Sequence, residues 1–482
     1  MSLAAESPLH SSSSSDDLAA FLEAELELAS SDTSPNYQPD EDEEIMMFMS
    51  RGFLLAFYRL CLFLFATCIC RIKRRKVESL EGIKELQGSV MIETNQENIG
   101  IIGTSKKLAD EDSCPPHPGF YKGLCLRCGQ LAEDDGPMLS LDYITKDLKL
   151  GTRESDRLRK EDLKNLLREK KLILILDLDH TLLNSTRLAD VSLEEEYLLR
   201  QADSIKDDPK RSLFKLDAMH MLTKLRPFVH TFLKEASSMF EMYIYTMAER
   251  SYALEIAKLL DPEKVYFNSK VISQADCTQR HQKGLDVVLG AENIVLILDD
   301  TEFVWQKHKE NLILMERYHF FSSSCRQFGF NAKSLSELKK DERESDGALA
   351  TILNVLKCTH QMFFDPVLGT DLSSGDVRQV LKKIRREILQ GCKIVFSRVF
   401  PSKSLAKDQP IWKLAEQLGA ICCTDVDASI THVVSTDTGT QKAQWALQNE
   451  KFLVNPRWIE AANYLWRRQQ EEDFPISSSR NS

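Results

Sequence analysis

Two apolar runs in this sequence end in paired carboxylates. Leu172 to Leu176 is wholly aliphatic and leads into Asp177-Leu178-Asp179-His180-Thr181, and Ile294 to Leu298 leads into Asp299-Asp300. Such runs read as buried parallel strands, and open α/β sheets place ligand sites beyond the carboxyl ends of their strands. Burying like charges this close is costly unless a cation or a proton offsets them. An Asp-x-Asp pair is therefore poor scaffolding and suits metal binding or acid–base work; the plain alternative is a solvated turn. A site of hard oxygen ligands suits Mg2+.

The elements that must position these acids alternate in type. Apolar strand-like runs stand at Leu172 to Leu176, Met242 to Tyr245, Val265 to Phe267, Ile294 to Leu298 and Leu312 to Leu314, with helix patterns such as Ser251 to Leu260 and Gln282 to Leu289 between them. That alternation predicts a doubly wound parallel sheet with helices on both faces over about 165–340. Residues 140–170 read as charged helix, with Leu141, Ile144 and Leu148 as a thin apolar stripe. Residues 345–390 read as a helical connector. Residues 391–470 repeat the alternation on a smaller scale as a second α/β domain, and 471–482 read as a tail.

Here the chain resembles a known family. Asp177-Leu178-Asp179-His180-Thr181 matches the Asp-x-Asp-x-Thr signature of haloacid-dehalogenase-type phosphatases. Leu176 to Asn184, with Leu225-Arg226-Pro227-Phe228 and Tyr243-Ile244-Tyr245-Thr246, resembles the RNA polymerase II C-terminal-domain phosphatases of the FCP/SCP type, most like plant members with one catalytic and one BRCT domain. The resemblance spans roughly 111–470. It implies that Asp177 is the nucleophile of an aspartyl-phosphate mechanism. Asp179 would be the general acid and base, its backbone carbonyl also meeting a Mg2+ ion, and Thr181 would fix the turn. Phosphate monoesters need rate gains of up to ~10²¹-fold, which is why a covalent intermediate that splits the reaction is useful.

The same resemblance places Thr246 and Lys283 on the transferred phosphate and makes Asp299 and Asp300 the metal and site-organising pair. It puts Arg226 beside the cleft as a substrate contact, and Trp305 at a family position where core packing is expected. Taken singly, Thr246 could instead cap the helix that follows, and Lys283 could be a solvated lysine. Gln274 and Ala275 stand where the family usually has Arg then an acid, and Ala248 where glycine is common. The first change is expected to weaken substrate handling or an internal salt link.

Cys114-Pro-Pro-His117 and Cys125-Leu-Arg-Cys128 form two close pairs of soft ligands. Cys114, His117, Cys125 and Cys128 therefore suit a closed, structural tetrahedral Zn2+ site over 111–130; the alternative is two free pairs in a linker. Gly391 to Ser397, the helix around Trp412, Leu418-Gly419-Ala420, Thr431 to Val434 and Trp458-Ile459 together resemble a BRCT domain. The resemblance puts Ser397, Thr440 and Lys442 at the positions that grip phosphate in phosphopeptide-binding members, while other members bind none.

Residues 1–45 hold twelve Asp or Glu and no Lys or Arg, and read as a disordered acidic tail with one amphipathic stretch at Leu18 to Leu28. Residues 46–76 join an apolar stretch to a basic cluster. Phe53 to Cys70 contains ten Leu, Ile or Phe residues, each favouring membrane insertion, and Arg59, which opposes it by about 2.5–3.5 kcal/mol. Insertion is thus marginal, and a segment foreign to the working protein is the rival reading. Lys73 to Lys76 reads as a nuclear import signal. The net charge of −11 disfavours general nucleic-acid binding, and scattered cysteines favour a reducing compartment, nucleus or cytosol.

The expected function is a nuclear, Mg2+-dependent phosphatase acting on serines of the RNA polymerase II heptad tail. Transcription factors are expected on the BRCT domain or acidic tail. The alternatives are a membrane-anchored phosphatase of the same fold, a small-molecule phosphatase, and a phospho-dependent BRCT scaffold with decayed catalysis.

Overall fold

The computed structural model describes residues 114–476 except 115, 132–135, 207, 209–210, 331, 366–374 and 402–403. The acidic tail, the apolar stretch and the basic cluster lie outside the described residues. Among the described residues no helix is long and apolar enough to cross a membrane. The chain divides into two compact units, with the boundary between Leu158 and Arg159.

In the smaller unit, β1 (Gly119–Tyr121), β2 (Leu124–Cys125), β3 (Met138–Ser140) and β4 (Leu148–Gly151) form an antiparallel sheet in the order β2-β1-β4-β3. The helix expected from residue 140 instead starts later, as α1 (Thr152–Arg168). Leu141 and Tyr143 are buried in the turn between β3 and β4. The backbone N–H of Leu141 donates to the Leu148 carbonyl at 2.9 Å, so the apolar stripe belongs to a hairpin.

The larger unit is built on a parallel sheet of β5 (Leu172–Leu176), β9 (Phe240–Tyr245), β10 (Val271–Ile272), β11 (Val295–Asp299) and β12 (Leu312–Leu314), in the order β10-β9-β5-β11-β12. Numbered by sequence within the sheet, that order is 3-2-1-4-5. The chain therefore winds one way from β5 and the other way from β11, and right-handed crossovers then put helices on both faces. All five residues of β5 and of β11 are buried, the mark of strands covered on both sides. The expected strand at Val265 to Phe267 is absent. Asp261 there accepts the backbone N–H groups of Val265, Tyr266 and Phe267 at 2.7–2.9 Å, which holds the segment as a loop, and the edge strand forms at Val271 instead.

Between β5 and β9 an antiparallel sheet is inserted, β6 (Leu183–Arg187), β7 (Leu213–Leu216) and β8 (Met221–Leu225), in the order β6-β8-β7. Its core joins Leu198, Leu213 and Leu222 to Tyr318, Phe320 and Phe321. Helices Ala348–Phe363 and Val377–Glu387 connect to the C-terminal domain. There β13 (Lys393–Ser397), β14 (Ile421–Cys423), β15 (His432–Ser435) and β16 (Phe452–Val454) form a parallel sheet ordered β14-β13-β15-β16. Trp412 and Trp458 are buried. Gly419, at φ +95°, turns the chain where a Cβ would meet the carbonyl oxygen of Arg386. The expected tail begins with an ordered turn, since Glu471 accepts from Arg468 at 2.7 Å and His432 Nε2 lies 3.2 Å away.

Candidate active site

β5 and β11 meet at the point where the winding reverses, the place this topology reserves for ligands. The backbone N–H of Asp177 donates to Leu298 at 3.0 Å, so the two strands stay zipped up to the first acid. Lys283 then joins the strand ends: its Nζ lies 2.6 Å from Asp177 Oδ1 and 2.6 Å from Asp299 Oδ2. Trp305 is fully buried and its Nε1 donates to Asp299 Oδ2 at 2.8 Å, while the backbone N–H of Thr301 donates to Asp299 Oδ1 at 2.8 Å. Packing was expected of Trp305; the bond to Asp299 is an addition that only the folded chain reveals. Asp300 accepts from Arg317 at 2.6 Å and from the Thr301 hydroxyl at 3.1 Å.

Lys283 does not start a helix. Its backbone N–H donates to Val304 at 2.8 Å, and that of Gly284 donates to the Tyr245 hydroxyl at 3.1 Å. Both donors are thereby taken by other elements, and only the short 3-10 turn Leu285–Val287 follows.

The turn after β5 is held from below. His180 sits at φ 63°, a left-handed conformation that costs a side-chain-bearing residue free energy. Arg226, with its side chain wholly buried, donates to the carbonyls of His180 at 3.4 Å and Thr181 at 3.0 Å and forms a paired contact with Glu342 at 2.7 Å. The expected substrate contact is thus corrected: this guanidinium is engaged beneath the loop. Asn184 Nδ2 lies 3.2 Å from His180 Nδ1. Thr181 is buried and its hydroxyl approaches Asp300 Oδ1 at 3.5 Å.

Asp179 stands apart from the other acids. The Tyr252 hydroxyl donates to its Oδ1 at 2.6 Å. Thr246, at the end of β9, is buried, and its Oγ1 accepts from the backbone N–H of Ala248 at 3.0 Å; this bond closes the turn after β9, and the helix that follows starts only at Arg250, capped by no side chain. Next to β9, Arg250 pairs with Asp276 at 3.1 Å, so an internal salt link exists despite Gln274 and Ala275.

Charge is heavily perturbed here. Burial pushes the Asp177 carboxyl well above its usual range, with Asp299 and Asp300 adding and Lys283 opposing. Burial also lifts Asp179 to about 6, against the Tyr252 hydrogen bond, and raises Asp299. Asp300 stays below its usual value despite burial, chiefly through Arg317. Lys283 is raised against its burial by Asp177 and Asp299.

Ligand oxygens of Asp177, Asp299 and Asp300 lie within 4.8 Å of one another. Three clustered acids facing one lysine fit a hard divalent cation. Both oxygens of Asp299 are engaged, which leaves Asp177 Oδ2 and Asp300 Oδ1 as the better-placed donors. The Asp179 carboxylate is outside the cluster and is taken up by Tyr252; from sequence only its backbone carbonyl was expected at the metal.

In the smaller unit Cys114, His117, Cys125 and Cys128 also bring their ligand atoms within 4.8 Å of one another. The Cys114 and Cys125 sulfurs are 3.9 Å apart; Zn–S bonds near 2.3 Å at tetrahedral angles would place them at about 3.8 Å. Burial and its sulfur neighbours push the Cys114 thiol up to about 12, as expected of a thiol set built around a cation. In the C-terminal domain the Ser397 hydroxyl donates to Thr440 Oγ1 at 2.8 Å. Lys442 Nζ lies 2.7 Å from the Thr424 carbonyl and 3.3 Å from that of Phe396. Ser397 and Thr440 thus meet at the end of β13, where Thr440 Oγ1 also accepts from the backbone N–H of Ala443, while Lys442 Nζ is held by the two backbone carbonyls.

A doubly wound sheet with Asp-x-Asp at one central strand end, Asp-Asp at the next and a lysine bridging them defines a haloacid-dehalogenase-type phosphatase. Residues 172–345 match the family of NLI interacting factor-like phosphatases and residues 395–458 the twin BRCT domain. Aligned over 99% of its length, the chain is 52% identical to RNA polymerase II C-terminal domain phosphatase-like 4 of Arabidopsis thaliana, covering 98% of that protein. It is 43% identical to RNA polymerase II C-terminal domain phosphatase-like 3 of the same plant, over 67% of this chain and 27% of that one. The solved structure of Fcp1, an essential RNA polymerase II CTD phosphatase, superposes with a TM-score of 0.51 at 24% identity, over 66% of this chain and 100% of its own. The chain belongs to the RNA polymerase II C-terminal-domain phosphatase family and is a phosphatase of that group.

Tyr252 and Arg317 touch the site's acids and were not singled out from the sequence. Tyr252 lies in a helix pattern and Arg317 in a loop, and neither carries a local signal; their roles arise from tertiary contact.

Proposed function

We propose that this chain hydrolyses phosphoserine in the C-terminal repeats of RNA polymerase II, with Mg2+ and through a phosphorylated Asp177, in the nucleus. One carboxylate oxygen of Asp177 attacks phosphorus, the bond from phosphorus to the serine oxygen breaks, and Asp179 gives its proton to the departing oxygen. Asp179, now ionised, takes a proton from water as the water oxygen attacks phosphorus; the Asp177–phosphorus bond breaks and phosphate leaves. Lys283 offsets the phosphoryl charge, with Asp299 and Trp305 fixing its ammonium, and the Thr246 hydroxyl is the partner for phosphoryl oxygens. Mg2+ held by Asp177, Asp300 and the Asp179 backbone carbonyl would supply further positive charge against the phosphoryl oxygens.

The observation that carries this reading is the Lys283 bridge between Asp177 and Asp299 at the switch point. A buried lysine between two acids at a ligand-binding strand end is costly as scaffolding and useful for phosphoryl transfer. The burial that lifts Asp179 to about 6 brings it closer to neutrality, where a group that gives and then takes a proton works best. A structural Zn2+ on Cys114, His117, Cys125 and Cys128 is part of the proposal, as is a phosphate subsite on Ser397, Thr440 and Lys442 that docks a second phosphorylated repeat.

The test is phosphate release from heptad peptides phosphorylated at the second or fifth position, with Mg2+ and with EDTA, for the wild type and Asp177→Asn. Metal-dependent release lost in Asp177→Asn supports the reading and ranks the two serines. Turnover of an aryl phosphate without peptide turnover keeps the chemistry and removes the substrate. No turnover of either favours the scaffold.

A further inference from the structure

The Asp179 carboxylate ends a chain of hydroxyls that take no part in the two chemical steps. The Tyr252 hydroxyl is 2.6 Å from Asp179 Oδ1, Ser185 Oγ is 2.8 Å from the Tyr252 hydroxyl, and Thr223 Oγ1 is 2.9 Å from Ser185 Oγ. Thr223 is fully buried on β8, and Ser185 lies opposite it on β6. The chain therefore runs from the inserted sheet, through the helix Arg250–Leu260, to the acid.

Each hydroxyl has one hydrogen, and this sets the direction. An ionised Asp179 can only accept, so Tyr252 donates to it. Tyr252 must then accept from Ser185, and Ser185, its hydrogen spent, must accept from Thr223. Every link points toward Asp179 Oδ1.

We infer that Tyr252, oriented by Ser185 and Thr223, is a positioning residue that keeps Asp179 Oδ1 an acceptor and so puts the transferable proton on Oδ2. The inference rests on the proposed phosphatase mechanism. With Oδ1 fixed by Tyr252, the carboxyl can neither rotate freely nor carry its proton on the wrong oxygen. In the first step the proton passes from Oδ2 to the serine oxygen as the bond to phosphorus breaks. In the second, Oδ2 receives a proton from the attacking water. Tyr252 keeps its own proton in both. A hydrogen bond to a charged group contributes about 1.5–3 kcal/mol, so losing it costs roughly tenfold or more on a step that needs the acid.

That predicts a signature absent from a purely structural role. Leaving groups of low basicity depart without help, whereas a serine alkoxide does not. For Tyr252→Phe, kcat/KM for a phosphoserine peptide should fall by about tenfold or more, and the fall should shrink steadily along a series of aryl phosphates as the phenol becomes more acidic. The dependence on leaving-group basicity should be steeper than in the wild type. Ser185→Ala, a smaller change, should move the dependence the same way by less. Equal losses for peptide and p-nitrophenyl phosphate in both variants, or unchanged dependence, would overturn the inference. Should Tyr252→Phe fail to fold, Ser185→Ala carries the test. Activity surviving in Asp177→Asn would instead sink the mechanism on which the inference stands.

Discussion

Lys283 Nζ lies 2.6 Å from Asp177 Oδ1, although 106 residues separate the two in the chain. The lysine side chain is 2% exposed, and a second acid, Asp299, holds its other side. Lys283→Met removes the one ammonium between two buried carboxylates. The expected loss in kcat for phosphoserine peptide is about 10²–10³-fold, the scale for deleting a preorganised charge-stabilising donor. In EDTA the variant should also melt earlier by the equivalent of roughly 3–5 kcal/mol. Differential scanning calorimetry with and without Mg2+ checks this, and a variant that retains wild-type turnover would remove Lys283 from the mechanism.

Arg226 and Glu342 support the same turn from below. Glu342→Gln leaves a wholly buried guanidinium with a neutral partner, for an expected cost on the order of 3 kcal/mol in urea unfolding. Because Arg226 also holds the carbonyls of His180 and Thr181, Arg226→Met should lower kcat more than it raises KM. A rise in KM with kcat intact would return Arg226 to substrate binding.

The cysteine cluster makes a metal prediction that is independent of turnover. Purified protein should carry about one zinc per chain by elemental mass spectrometry, and Cys125→Ser should lose it. Loading zinc onto chelated protein should release protons, since burial raises the Cys114 thiol to about 12. It should also slow amide exchange over 116–131. Full occupancy without Cys125 would place zinc elsewhere.

His319 supplies a pH dependence of stability. Burial, with His180 and Arg317 nearby, lowers it to about 3, against about 6.5 unfolded. The unfolded chain therefore takes up this proton first. The stability tied to neutral His319 is whole above pH 6.5 and is lost as pH falls toward 3. Between pH 7 and 5 the contribution is on the order of 1–2 kcal/mol. His319→Gln should flatten the fall in melting temperature over that range, and parallel curves would show that His319 contributes nothing.

Legibility divided along the range of the forces involved. The five strand-end acids and hydroxyls, Asp177, Asp179, Thr246, Asp299 and Asp300, were readable because a buried parallel strand is a continuous apolar run and its end is marked by the first polar residue. The Cys114, His117, Cys125 and Cys128 cluster was readable because close pairs of Cys and His need no distant partner to be recognised. Misreadings occurred where a segment's backbone donors are claimed from outside. Lys283 looked like a helix start, but with Val304 and Tyr245 binding the N–H groups of Lys283 and Gly284 the backbone at Gly284 is extended, at φ −127° and ψ 149°. Residues 265–267 looked like a strand until Asp261 accepted their N–H groups.

By itself the sequence determined the strand ends, the order of the chemical residues and the class of reaction they suit, since apolar periodicity and residue type are local properties. Tertiary structure decided which partner each group meets. It put Arg226 under the loop, gave both oxygens of Asp299 to Lys283, Trp305 and Thr301, and placed Tyr252 on Asp179. Those pairings depend on strand order and on side-chain directions across the winding switch, and contacts between residues up to 119 positions apart leave no periodic trace in the chain.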